Sequence, residues 1–144
     1  MEKKMKKSLL LSLVLIVLAG ILLTACSEGS SASLVGEWRL VSYGDASNPT
    51  PAAPGVDTSI NFGSDGQING NVGCNTFGGE YKVKGNKITF GSLMSTLMGC
   101  MDQIGEQESA VFGVFADTAS FELVGNTLTV TSADGSSVVV LGRK

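Results

Sequence analysis

From Leu34 onward, apolar side chains recur in short alternating runs, and nearly every run ends at a turn-forming pair of residues. Such a run hides only one face, so it must pair with neighbours and cover that face, which points to antiparallel β structure. Val35 to Tyr43 is the first strand, with Trp38 and Leu40 on one face. Ile60 and Phe62 mark a second, turned by Ser64-Asp65-Gly66 into a third over Gln67 to Val72. Gly79 to Lys84, with Tyr81 and Val83 sharing a face, leads through Gly85-Asn86 into Ile88 to Phe90. Phe121 to Val124, Leu128 to Thr131 and Val138 to Leu141 follow, with Gly125-Asn126 and Asp134-Gly135 as their turns. Val83 to Phe90 echoes Leu123 to Val130, because Gly-Asn tolerates the positive φ of a tight hairpin; a true repeat would need more copies. Asp45 to Gly55 holds Pro49, Pro51 and Pro54 and reads as an extended surface loop.

One segment leaves this pattern. From Ile104 to about Asp117, Ile104, Val111, Phe112 and Phe115 recur at helical spacing. Asp102 is placed to cap the helix, and Glu106 and Glu108 lie in its first turns, where the helix dipole favours negative charge. Gly113 weakens it by about 1 kcal/mol relative to alanine. The expected fold is α+β and mainly β: a small, strongly curved antiparallel sheet packed around one amphipathic helix.

Ahead of the domain stands a different kind of sequence. Lys3, Lys4, Lys6 and Lys7 precede an apolar run from Leu9 to Leu23, and Leu23-Thr24-Ala25-Cys26 closes it. The run is within signal-peptide length and shorter than the roughly 20 residues that span a bilayer. A small residue before a cysteine at that point is the bacterial lipobox pattern. Residues 1–25 then read as a lipoprotein signal peptide, Cys26 as the lipidated residue and 26–33 as a flexible tether, with the domain over 34–144. Two or more acyl chains make such anchoring stable, since each buried methylene contributes about 0.8 kcal/mol. The expected location is the cell membrane or outer membrane, lipid-anchored and facing the periplasm or exterior.

Losing the leader removes four lysines and one glutamate, so the formal charge moves from -3 to -6. An acidic chain with few clustered cations argues against nucleic acid as a partner. Lipidation of Cys26 leaves Cys74 and Cys100, and an even remainder in an oxidising compartment suggests one disulfide. Closing that loop would stabilise the fold by roughly 3 to 4 kcal/mol in the chain-entropy view. A redox-active or metal-binding pair is the rival reading, but the chain has no CxxC and no histidine. The missing histidine also removes the usual nucleophile-activating bases and histidine-ligated zinc. No metal and no cofactor are expected.

Gly73-Cys74-Asn75-Thr76-Phe77-Gly78-Gly79-Glu80-Tyr81 resembles the GCN-x-F-x-G-x-Y signature of the META domain (HslJ-like) family. Ser95-Thr96-Leu97-Met98-Gly99-Cys100 is similar to that family's S-T-x-M-x-C, and Gly36-Glu37-Trp38-Arg39-Leu40 to its G-x-W-x-L opening. The likeness covers about Leu34 to Leu141; the proline-rich stretch Asn48 to Pro54 departs from it. It implies a barrel-like sheet with one helix and places Cys74 beside Cys100. Family members are frequently secreted or lipid-anchored, some are linked to heat or antibiotic stress or to secretion, and no enzymatic activity is established for the family as a whole.

The motif residues Gly73, Cys74, Asn75, Phe77, Gly79, Tyr81, Ser95, Thr96, Met98 and Cys100 also have structural readings. The glycines suit a bulge or close backbone approach, Asn75 a turn, and Phe77 and Tyr81 the core. Leu93, Met94, Leu97, Met98 and Met101 form a deformable apolar stretch that fits core filling better than a surface, yet it is the best candidate for a partner surface. The expected protein is therefore a monomeric, non-catalytic envelope lipoprotein that binds an envelope protein partner in stress tolerance or envelope maintenance. Two alternatives stand beside it: a barrel binding a small apolar ligand, and an enzyme in which two of Asp65, Glu80, Asp102, Glu106 and Glu108 converge in a cleft.

Overall fold

The computed structural model describes residues 34–144. Eight strands form one antiparallel barrel: β1 (Gly36–Asp45), β3 (Ser59–Phe62), β4 (Gln67–Asn71), β5 (Thr76–Lys84), β6 (Lys87–Phe90), β8 (Thr118–Val124), β9 (Thr127–Thr131) and β10 (Ser137–Arg143). Two short strands flank the barrel, β2 (Thr50–Pro51) on β1 and β7 (Met94–Ser95) on β5. The order β10-β9-β8-β6-β5-β4-β3-β1 closes because β1 also pairs with β10, with Leu40 opposite Leu141 and Tyr43 opposite Val139. Closure leaves the main wall with no open edge.

Alternation determines which side chains enter. Trp38 and Leu40 point inward at even positions, but so does Tyr43 at an odd one. The ladder between β1 and β10 slips by one residue between Leu40 and Ser42. This bulge resets the phase, and without it Tyr43 would face solvent. The proline loop therefore contains one paired stretch, β2, where an unpaired surface loop was expected. Strand β5 also starts earlier than the alternation suggested, at Thr76.

The helix α1 (Asp102–Val114) packs against β1 and β10. On the opposite side of the barrel, its Phe112 and the following Phe115 meet Phe77 of β5, and Phe115 stacks on Phe90 of β6 with ring centres 4.4 Å apart. A helix touching opposite walls lies across the barrel, and Val111, Val114 and Phe115 join one core with Trp38, Ile60, Phe62, Ile68, Leu128 and Leu141. The helix start differs from the expectation. Met101 occupies the cap position and no side chain bonds there, while Asp102 is the first helical residue with a φ of 55°.

Candidate functional site

Val72 ends the approach to the Gly-Cys-Asn corner between β4 and β5, and the helix holds that corner from above. Gln107 is fully buried; its Oε1 accepts from the Ala53 N–H at 2.8 Å and its Nε2 donates to the Val72 carbonyl. Gly73 follows with a φ of 126°, and a Cβ there would sit 3.0 to 3.2 Å from Val56, Ile104 and Gln107. The backbone conformation favours glycine, and a side chain there would make its neighbours give way.

Asn75 is the hub of the site. Its backbone N–H donates to Glu108 Oε2 at 2.7 Å and its Nδ2 to Glu108 Oε1 at 2.6 Å, a two-point grip on one carboxylate. Its Oδ1 accepts from Thr96 Oγ1 and from the Met98 N–H, both at 2.8 Å. Nδ2 also lies 3.2 Å from the Met98 carbonyl and from Cys100 Sγ. Asn75 thus bonds a distant loop and the helix, where a local turn was the expectation. Thr96 Oγ1 accepts in turn from the Thr76 N–H at 3.2 Å.

The Cys74 and Cys100 sulfurs are joined, with Cα atoms 6.1 Å apart, and Glu108 Oε1 lies 3.5 Å from Cys100 Sγ. One potential ligand atom each from Cys74, Cys100 and Glu108 falls within 4.8 Å of the others. With the sulfurs bonded to each other, neither presents a thiolate to a metal. Glu108 is 8% exposed, and its partners among the described residues are neutral groups. The sequence placed it in the first turns, where the helix dipole favours its charge, and gave Gln107 no role. A signal was present: 104, 107, 108 and 111 lie on one helical face, and two of those four are polar.

The β7–β5 ladder at Met94 and Ser95, Asn75 at Thr96 and Met98, and the disulfide at Cys100 tie down a segment that the core does not absorb. Met94 is 78% exposed, Leu97 95%, Met98 59% and Met101 77%. Core filling, the favoured expectation for these methionines, is therefore wrong for all of them. The hydrogen bonds of Thr96 and Met98 to Asn75 turn this loop outward, and only Leu93 packs against the core. Ser95 pairs with Phe77 in the short ladder between β7 and β5. Phe77 and Tyr81 are buried, and Tyr81 Oη donates to the Gly63 carbonyl at 2.8 Å. Burial raises the Tyr81 hydroxyl pKa above its usual value, and Asp65 adds to the shift. Gly79 sits under the β6–β7 loop, where a Cβ would come within 2.7 Å of Leu93.

The candidate carboxylates separate into two places. Asp65 and Glu80 line one open surface groove of about 730 Å³ with Gln67, Asn69 and Gly91. Asp102 and Glu106 are exposed on the helix, and Glu108 is held by Asn75. Cys26, with the leader and tether around it, lies outside the described residues.

The META domain profile matches residues 32–144. The chain belongs to the META domain family. Among solved structures, META-domain architecture of this kind is similar to a protein from Burkholderia xenovorans solved by NMR. The identity is 22%, 84% of this chain and 92% of that chain are covered, and the TM-score is 0.63. A second NMR structure is 23% identical over 80% of this chain and 95% of its own, also with a TM-score of 0.63. The crystal structure of a DUF4847 family protein from Bacteroides vulgatus is 12% identical, over 76% and 92% of the two chains, with a TM-score of 0.55. At these identities the likeness concerns the fold alone. None of the curated proteins matches the chain significantly.

Proposed function

We propose that this META-domain protein is a non-catalytic lipoprotein of the bacterial envelope, anchored through Cys26, that presents the Met94–Met101 loop to a protein partner in stress tolerance or envelope maintenance. The observation that carries the reading is the outward Met94-Leu97-Met98-Met101 surface on a loop fixed at both ends. Flexible thioether side chains on a rigid mount suit contacts that must adapt to a partner. Exposed apolar side chains gathered in one place are a liability unless something covers them. The small-ligand alternative is less well supported, since Trp38, Phe62, Ile60, Ile68, Leu128 and Phe115 are all fully buried in one packed core.

The test is affinity purification of the lipidated protein from its own envelope, side by side with Met98→Glu and Cys26→Ala. The reading expects a stoichiometric protein partner with the wild type, its loss with Met98→Glu, and release of Cys26→Ala from the membrane fraction. A partner retained equally by Met98→Glu would remove the loop from the account. The shared groove of Asp65 and Glu80 favours a second, enzymatic reading, which requires a reaction abolished by Asp65→Asn or Glu80→Gln.

A further inference from the structure

The Gly-Cys-Asn corner gathers two sulfurs and a buried carboxylate, a set with a second use once the sulfurs are no longer bonded to each other. We propose that reduction of the Cys74–Cys100 bridge opens a zinc site, with Cys74 Sγ, Cys100 Sγ and Glu108 Oε1 as its three protein ligands.

Donor chemistry and spacing both fit that ion. Two thiolates and one carboxylate suit zinc, whereas magnesium and calcium take oxygen alone. One ligand atom from each residue lies within 4.8 Å of the other two. Zinc–sulfur and zinc–oxygen bonds of about 2.3 and 2.1 Å set a tetrahedral sulfur–oxygen edge of about 3.6 Å. Glu108 Oε1 stands 3.5 Å from Cys100 Sγ. The two sulfurs would have to part to about 3.8 Å. Their Cα atoms are 6.1 Å apart, so rotation of the side chains supplies that gap.

Electrostatics point the same way. Glu108 is 8% exposed, and no cation pairs with it among the described residues. Two thiolates beside this carboxylate would repel it and each other, and a divalent ion between them turns that repulsion into ligation. The carboxylate is held ready for the role. Asn75 donates its backbone N–H to Oε2 at 2.7 Å and its Nδ2 to Oε1 at 2.6 Å, the outer hydrogen bonding that orients metal ligands. Oε1 keeps a second lone pair for a metal. The same amide nitrogen lies 3.2 Å from Cys100 Sγ, where it can donate to a thiolate. Both cysteines are half-buried, so water can reach the fourth position of the ion.

A dithiol reductant supplies the opening step. Its first thiolate attacks one sulfur of the bridge, and its second displaces the mixed disulfide that results. The reductant leaves as its own disulfide, and Cys74 and Cys100 end as thiols. Zinc then displaces one proton from each thiol to solvent, and no further electrons move. Disulfide and zinc exclude each other, because the same two sulfurs serve both.

The experiment uses the full chain in detergent micelles, carrying Cys26→Ser so that Cys74 and Cys100 are its only cysteines. The protein is reduced with a phosphine, desalted without oxygen and titrated with zinc against a chromophoric chelator. A parallel titration uses cadmium, whose thiolate bonds absorb in the ultraviolet. The reduced chain should take up one zinc, release about two protons and show the cadmium–thiolate band up to one equivalent. The oxidised chain should do none of this. Glu108→Gln should weaken zinc binding by at least about tenfold, and Glu106→Gln, exposed on the same helix, should leave it unchanged. If Glu108→Gln folds poorly, an infrared shift of the Glu108 carboxylate on zinc binding takes its place, and absence of that shift removes Glu108 from the site. If reduction alone loosens the fold, zinc should restore the near-ultraviolet circular dichroism of the oxidised protein. A reduced chain that binds no zinc, or an oxidised chain that binds it equally well, would overturn the proposal. Unchanged affinity in a well-folded Glu108→Gln would do so too, leaving a bare dithiol chelate.

Discussion

Asn75 uses every polar atom of its amide and its backbone N–H, and it does so against partners more than 20 residues away in sequence. Removing its side chain would leave Glu108 Oε1 without its amide donor and two loop donors without an acceptor, while the backbone N–H would still hold Glu108 Oε2. Asn75→Ala should therefore cost about 2 to 4 kcal/mol in chemical denaturation, more than an average buried hydrogen bond, because unmatched groups remain behind. In the sequence, Asn75 was visible only as a motif residue, since the partners of an amide depend on the tertiary fold. Glu108 was misread for the same reason: nothing local tells a carboxylate that a neighbouring strand will supply its donors. At the other end of the chain, Asp134 is exposed in the β9–β10 turn. Bonds from the Ser132 hydroxyl, then from the backbone and hydroxyl of Ser136, lower its pKa from 3.8 to about 2. The folded value lies below the unfolded one, so the carboxylate's contribution is complete above pH 3.8 and is lost as the pH falls through about 2. NMR titration should place this carboxyl near 2, and Asp134→Asn should flatten the acid limb of the stability curve across that window.

The helix is the element on which core and site both depend. One side carries Val111, Val114 and Phe115 into the barrel; the turn before it carries Gln107 and Glu108 onto the Gly-Cys-Asn corner. Phe115 is the anchor, fully buried, stacked on Phe90 and near Phe77. Phe115→Ala should destabilise the protein by about 3 to 5 kcal/mol, measured by thermal or denaturant unfolding. Because the helix positions Glu108, the same variant should loosen the Met94–Met101 loop, seen as faster amide exchange at Met98. Helical periodicity announced this element, and its apolar residues are where the spacing put them. Its first residues were not legible, because Asp102 enters the helix through a left-handed conformation in place of the side-chain cap its type suggested.

At the scale of the whole molecule, the runs between turn signals foretold the eight barrel strands and their order in sequence. The barrel came only through the family resemblance and not from the alternation, since closure depends on β1 meeting β10 across almost the entire domain and on a one-residue bulge to keep Tyr43 inside. The methionine loop was the larger surprise. Composition made it look like core, but a closed barrel with a helix laid across it is already full, and the loop is tied down outside it. The central claim is that this outer surface is where the protein meets its partner. Its most direct test is in-cell photo-crosslinking from position 97, compared with position 124, where Val124 is also exposed but stands on the β8–β9 hairpin. The account predicts a discrete protein adduct from position 97 that disappears when Met98→Glu is added, and none from position 124. Adducts from both positions alike, or from position 124 alone, would contradict it.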